Sequence, residues 1–279
     1  MTQQGIEMIL MRRLASLLTM PILLVSSEGD LVFFNWAAAP LLGRPFESTG
    51  PITRGDWSAL FSPTHPDGSA MKREEQPLYV ATVRREPCHR RGWVRGLDGI
   101  AHDMEGIAFP LIGQGERMHG AVGVFWDPSS PPLPGIPRPS RSLDLASPGG
   151  DRPVELLLMR QLASYLTTAF ILVGPDESLI FFNEPAERLI GRRFEEAEAM
   201  DLEEWSARLD AADEHGQPIA PDERPMVVAQ RSQRPVHRRY SIRAFDGARQ
   251  PIEGLAFPLV GERSRQLGSV GIFWEVAES

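Results

Sequence analysis

Leu10, Leu14, Leu17 and Leu18 recur at the i, i+4, i+7, i+8 spacing of one helical face, which predicts a helix at the start of the chain. Two short apolar runs follow, PILLV at Pro21 and LVFFN at Leu31, parted by the polar SSEGD. They predict a hairpin with a glycine-containing loop. WAAAPLLG from Trp36 predicts a short helix ended by Gly43 in a left-handed cap. Asp56 to Phe61 predicts another helical turn, with Asp56 as its N-cap. After a DG turn, EEQPLYVATVRRE predicts a helix over about 74–85, with proline near its start, where it is tolerated. Three longer runs, at about 88–96, 104–112 and 118–127, predict strands joined by a DG-containing turn and by GQGER. Two strands, several short helices and three strands, in that order, predict an α+β fold: a five-stranded antiparallel sheet with helices on one face.

The whole pattern is then written a second time. LVFFNWAAAPLLGRPFE (Leu31 to Glu47) returns 148 positions later as LIFFNEPAERLIGRRFE (Leu179 to Glu195). Shifting Leu10–Asp127 by 148 needs no gap and leaves about 48 of 118 positions identical. LMRRLASLLTMPILLV becomes LMRQLASYLTTAFILV, EGIAFPLIG becomes EGLAFPLVG, and GAVGVFWD becomes GSVGIFWE. A period this long means tandem domains, because solenoid units repeat every 20–50 residues or so. The predicted organisation is domain 1 over 8–127, a linker over 128–153 and domain 2 over 154–277. The linker holds eight prolines from Pro128 to Pro153, so it cannot form a core helix or an inner strand and reads as an extended, partly stiff spacer.

Charge and composition remove several classes of function. A net charge of −8 and a pI near 5.4 argue against a phosphate-binding surface, hence no nucleic acid partner is expected. One cysteine, Cys88, rules out an intrachain disulfide and a CxxC site and favours a cytoplasmic location. Arg12 and Arg13 before LASLLTMPILLV imitate a signal peptide, but the pattern recurs at 158–173, deep inside the chain, so it reads as structure. It is also shorter than the ~20 apolar residues of a bilayer span, and no membrane partner is expected. There is no P-loop, GxGxxG, HExxH or nucleophile elbow; the expectation is no enzyme, no catalytic residues and no metal site.

The element order resembles the PAS domain. So do an Asn-x-x-Ala after the second strand (Asn35/Ala38, Asn183/Ala186), a DG turn between the third and fourth strands and a closing G-x-V-G-x-F-W-D/E strand. The resemblance covers about residues 10–127 and 158–276. It implies sensor and protein-interaction modules that act on an output domain, and no output domain is recognised after the second copy, which ends at Glu275. The expectation is a cytoplasmic signalling module of tandem PAS domains that mediates protein–protein interaction and dimerisation and works with a separate signalling output protein. The alternative is a small-molecule sensor holding an apolar or planar ligand in one or both cavities. Haem-binding PAS domains usually present a histidine from the long helix before the third strand, and EEQPLYVATVRRE and DERPMVVAQRSQR contain none. The flavin-type N-C-R-F-L-Q stretch is also missing. No cofactor is therefore expected, with haem and flavin as the open alternatives.

Candidate residues follow in pairs. Trp57 and Trp205 fall where PAS domains place a cavity wall, and offer either core packing or a grip on a planar ligand. Asn35 and Asn183 are candidate cavity residues as well, and they also suit side-chain ties to the backbone. His89 and His237 are each followed by two arginines, and offer a titrating ligand contact or an outer-face pairing with Glu105 or its equivalent. The opening helices supply a candidate interface, Leu10, Leu14, Leu17 and Leu18 with Leu158, Leu162, Tyr165 and Leu166. An amphipathic helix this short must bury its stripe somewhere, which predicts self-association through these helices and packing of the two copies as a pair. The run FEEAEAMDLEE (Phe194 to Glu204) carries six acids where the first copy reads FESTGPITRGD with two, so the two surfaces are predicted to differ.

Overall fold

The computed structural model describes residues 6–129, 154–197, 207–261 and 265–276. Trp205, most of the acidic run and residues 130–153 of the proline-rich stretch lie outside the described residues. The chain divides into two units, Met1–Pro131 and Pro132–Ser279, each with its own sheet.

Unit 1 runs α1 (Ile6–Leu17), β1 (Ile22–Ser26), β2 (Leu31–Phe34), α2 (Ala39–Leu42), α3 (Phe46–Thr49), α4 (Arg54–Phe61), α5 (Pro77–Tyr79), β3 (Cys88–Arg95), β4 (Ala101–Ile112) and β5 (Met118–Trp126). Unit 2 repeats the order with α6 (Val154–Ala163), β6 (Ala169–Val173), β7 (Leu179–Phe182), α7 (Glu184–Ile190), α8 (Phe194–Ala197), α9 (Pro225–Ser232), β8 (Val236–Arg243), β9 (Arg249–Val260) and β10 (Gln266–Glu275). Both sheets are antiparallel, ordered β2-β1-β5-β4-β3 and β7-β6-β10-β9-β8. The 148-residue shift survives down to single pairings: Leu24 faces Phe33 as Leu172 faces Phe181, and a bulge follows each.

The last strand lies between the hairpin and β4 or β9, so it is the centre of each sheet, and its middle is buried. Gly120 to Phe125 are buried without a break. Gly120 and Gly268, near the start of that strand, have φ of 146° and 126°, and a Cβ there would run into the carbonyl oxygen of Val25 or Val173. Glycine is required because the neighbouring backbone occupies that space. On the helix side of sheet 1, Val25, Phe34, Leu42, Phe61, Met104 and Phe125 form the core.

Three expectations about the elements need correction. The buried face of α1 is Met8, Met11, Leu14, Ala15 and, just beyond its end, Leu18, while Leu10 and Leu17 are half-exposed. Leu156, Met159, Leu162, Ala163 and Leu166 repeat it, with Leu158 and Tyr165 half-exposed. Counting leucines alone rotates the stripe, because methionine fills core space equally well. The cap of α4 is Thr53, whose hydroxyl accepts from the Asp56 amide at 3.4 Å; Asp56 sits three residues in and accepts the Thr53 hydroxyl at 2.6 Å. The helix expected over 74–85 is broken: a 3-10 turn at Arg73–Glu75, α5, then a π turn at Val80–Arg84. The break falls at Gln76 (φ −68°, ψ 130°), since the residue before a proline is driven out of the helical region. Arg224 before Pro225 repeats it, at φ −65° and ψ 141°.

Candidate functional site

Each unit holds a cavity between the inner face of its sheet and the helices over it. In unit 1 the volume is about 140 Å³, walled by Trp57 and Phe61 from α4, Leu78 from α5, Met71, and the sheet residues Met104 and Phe125. In unit 2 it is about 750 Å³, walled by Ile171, Ile190, Met226, Ile242, Ile252 and Phe273. Ligand pockets usually measure about 300–1,000 Å³, a range that admits the second and not the first.

The sequence differences at matched positions account for part of the contrast. Phe61, Met71 and Met104 of unit 1 become Leu209, Ile219 and Ile252, each smaller or less extended. The reverse change, Gly92 to Tyr240, adds a phenol. In unit 1 a side chain could not be accommodated there, because a Cβ on Gly92 would run into the Thr64 carbonyl oxygen. Tyr240 lines the second cavity, together with Arg224, where unit 1 has Gln76. At the cavity edge Arg231 pairs with Glu177 at 3.0 Å, and Asp222 is exposed.

Electrostatics set these two polar groups apart. Burial pushes the Tyr240 hydroxyl up to about 12, against the opposing pull of Arg224 and Arg238, so it stays a neutral donor at physiological pH. Burial also lowers the Arg224 pKa, while Tyr240 and Asp210 work in the other direction. A guanidinium starts so high that it remains a cation. Asp210 is itself held by Arg243 at 3.1 Å and Arg249 at 2.7 Å.

The residues singled out from sequence are scattered. Trp57 lines the first cavity and donates its Nε1–H to the Gly29 carbonyl at 2.8 Å. Trp205 lies outside the described residues. Asn35 and Asn183 line neither cavity. Asn35 is 1% exposed; its amide donates to the carbonyls of Ala15, Leu18 and Met20, and its oxygen accepts from the amides of Ile22 and Ala38. Asn183 makes the five equivalent bonds. They join the opening helix, the first strand and the next helix, which leaves no group free for a ligand. His89 and His237 are also absent from the cavity walls; along β3, alternation puts the buried Gly92 and half-buried Val94 on the inner face and His89 on the other. There His89 contacts Glu105 at 2.8 Å and stacks on Trp126, and His237 contacts Glu253 at 2.8 Å. The His237 hydrogen bond, followed by the Arg239 charge, holds the Glu253 carboxyl below its usual range against the effect of burial.

Arg224 and Tyr240 carry no motif of their own; their only signal in the sequence is that the two copies differ at these positions. Among the described residues neither cavity wall includes a histidine or cysteine, so none of them offers haem iron an imidazole or thiolate ligand. Among the described residues no three His, Cys, Asp or Glu side chains gather to hold a metal ion, and no helix is long and apolar enough to cross a membrane.

No protein-family model and no curated protein matches this sequence. Solved structures do. A PAS domain from Colwellia psychrerythraea is 19% identical, with a TM-score of 0.34, covering 44% of this chain and 98% of that one. The PAS domain of a nitrogen regulation protein from Vibrio parahaemolyticus is 15% identical, with a TM-score of 0.32 over 43% and 98%. A fungal LOV domain photoreceptor is 15% identical, with a TM-score of 0.31 over 39% and 74%. Values at this level bear on neither ligand nor activity. These structures are PAS and LOV domains.

Proposed function

We propose that the chain is a non-enzymatic signal-sensing module in which the second domain takes up a small, largely apolar molecule and the first does not. The observation that supports this is the contrast between cavities of about 750 and 140 Å³ in domains built on one register. The first domain contributes protein contacts, and the signal passes to a separate output protein. Native mass spectrometry of the intact purified chain tests the sensing step. Leu209→Phe with Ile252→Met carries two wall residues of the first cavity into the second. The wild type should retain a small molecule, or brighten the uncharged dye Nile red, and the filled variant should do neither. Retention that survives filling, or a wild type that carries no small molecule and leaves the dye dark, overturns the reading. The absorption spectrum should show no Soret band and no flavin peaks.

Self-association through the opening helices belongs to the same proposal. Ile9 and Leu157, matched under the 148-residue shift, are 52% and 49% exposed on helices whose opposite faces are buried.

A further inference from the structure

The second cavity differs from the first in its hydroxyl groups as well as in size, and the difference specifies a ligand class. Among the described residues Tyr240 is the one hydroxyl-bearing side chain in its wall, and the wall of the first cavity has none. The Tyr240 ring lies beside the bare backbone of Gly254 on the neighbouring strand, where a Cβ would sit 3.7 Å from the ring edge. Tyr240 is half-buried, and among the described residues nothing hydrogen-bonds its hydroxyl. The charged groups of the wall are otherwise occupied: Arg231 pairs with Glu177 at 3.0 Å, Arg224 has its own partner in the protein, and Asp222 is exposed to water. We propose that the second domain binds an uncharged, largely apolar molecule bearing a carbonyl group, whose oxygen accepts a hydrogen bond from the Tyr240 hydroxyl while its body packs among Ile171, Ile190, Met226, Ile252 and Phe273. This rests on the reading of that domain as the sensor.

The chemistry favours this class over its neighbours. A phenol among apolar side chains usually has an acceptor, because a hydroxyl taken out of water and left unbonded is destabilising. A carbonyl on the ligand supplies that acceptor. Burial pushes the Tyr240 hydroxyl up to about 12, so it keeps its proton and donates. A hydrocarbon of equal size suits the wall but leaves the hydroxyl unbonded. A carboxylate is disfavoured, since moving it into an apolar cavity is costly without a free cation to meet it, and Glu177 and Asp222 border the space. The first domain has Gly92 at the matching position and so lacks the donor.

The test uses the full chain and three probes of related shape: benzophenone, diphenylmethane, which lacks the carbonyl, and 4-benzoylbenzoate, which adds a carboxylate. Equilibrium dialysis gives the affinities, and infrared difference spectra report the carbonyl band of bound benzophenone. The wild type should bind benzophenone about fivefold tighter than diphenylmethane, as one neutral hydrogen bond provides. It should also bind benzophenone tighter than 4-benzoylbenzoate, and the carbonyl band should lie below its position in a hydrocarbon solvent. Tyr240→Phe should remove the preference for the ketone and return the band to that position, while diphenylmethane affinity stays within about twofold. Equal affinity for ketone and hydrocarbon in the wild type, or an unmoved band, overturns the Tyr240 assignment but leaves the cavity as a binding site. Tighter binding of 4-benzoylbenzoate overturns the uncharged class. Failure of all three probes overturns both the assignment and the sensor reading. The wild-type comparisons decide the matter even if the variant does not fold.

Discussion

Glu253 shows how much one carboxylate can depend on neighbours that its own sequence position does not reveal. It lies on β9, receives His237 at 2.8 Å and Arg239 at 2.9 Å from β8, and is buried. Its folded-state pKa is depressed, so its contribution to stability is complete above the unfolded value of ~4.3 and disappears as pH falls through the lower folded value. Glu253→Gln should therefore lower the thermal midpoint of the second domain near neutrality, with the gap from the wild type closing below about pH 4. Parallel curves down to the lowest pH would show that the ion pair does not govern the acid limb. The pairing of His89 with Glu105 was legible from sequence, because alternate residues share a face and the strands are adjacent. The closeness of Arg224 and Tyr240 was not, since 16 residues and a helix separate them in the chain.

At the scale of elements, the buried asparagines decide how the opening helix joins its sheet. Asn35 satisfies three carbonyls near the end of α1 with one amide and caps the following turn with its oxygen. Asn35→Ala strands several of these buried groups, a loss of about 3 kcal/mol, or roughly 10 °C in midpoint for the first domain. Asn35→Asp should be worse, because it turns an acceptor toward three carbonyl oxygens. An Asp variant that melts with the wild type would refute this account. Element identity was largely readable, since the 3.6- and 2-residue periods and the Asn and Gly signals are local. The break at Gln76 was readable too, from the proline that follows it, although the helix was expected to run through. The π turn at Val80–Arg84 has no local signal we can name: the matching segment of unit 2 is ordinary α-helix.

At the scale of the whole molecule, the exposed positions on the opening helices carry the expectation of self-association. Leu14 and Leu162, candidate interface residues by their spacing, are 0% and 2% exposed, so substituting them would disturb folding as well as any assembly. Ile9 and Leu157 separate the two effects. Ile9→Lys with Leu157→Lys should keep the melting profile and lower the mass seen by light scattering as concentration rises. If the wild type is monomeric throughout, or the variant associates equally, the helices are not the contact.

By itself the sequence determined the number of domains, their shared register and the order of their strands. Those properties follow from periodicity and from self-similarity, and both are carried by neighbouring residues. Only the tertiary structure decided which domain has room for a ligand. Cavity volume is a small remainder left when side chains from five strands and several helices are packed together, so exchanging Phe61 for Leu209 or Gly92 for Tyr240 has no predictable sign until all the walls are in place. The same packing brings Arg224 and Tyr240 to one space and turns the paired histidines away from it.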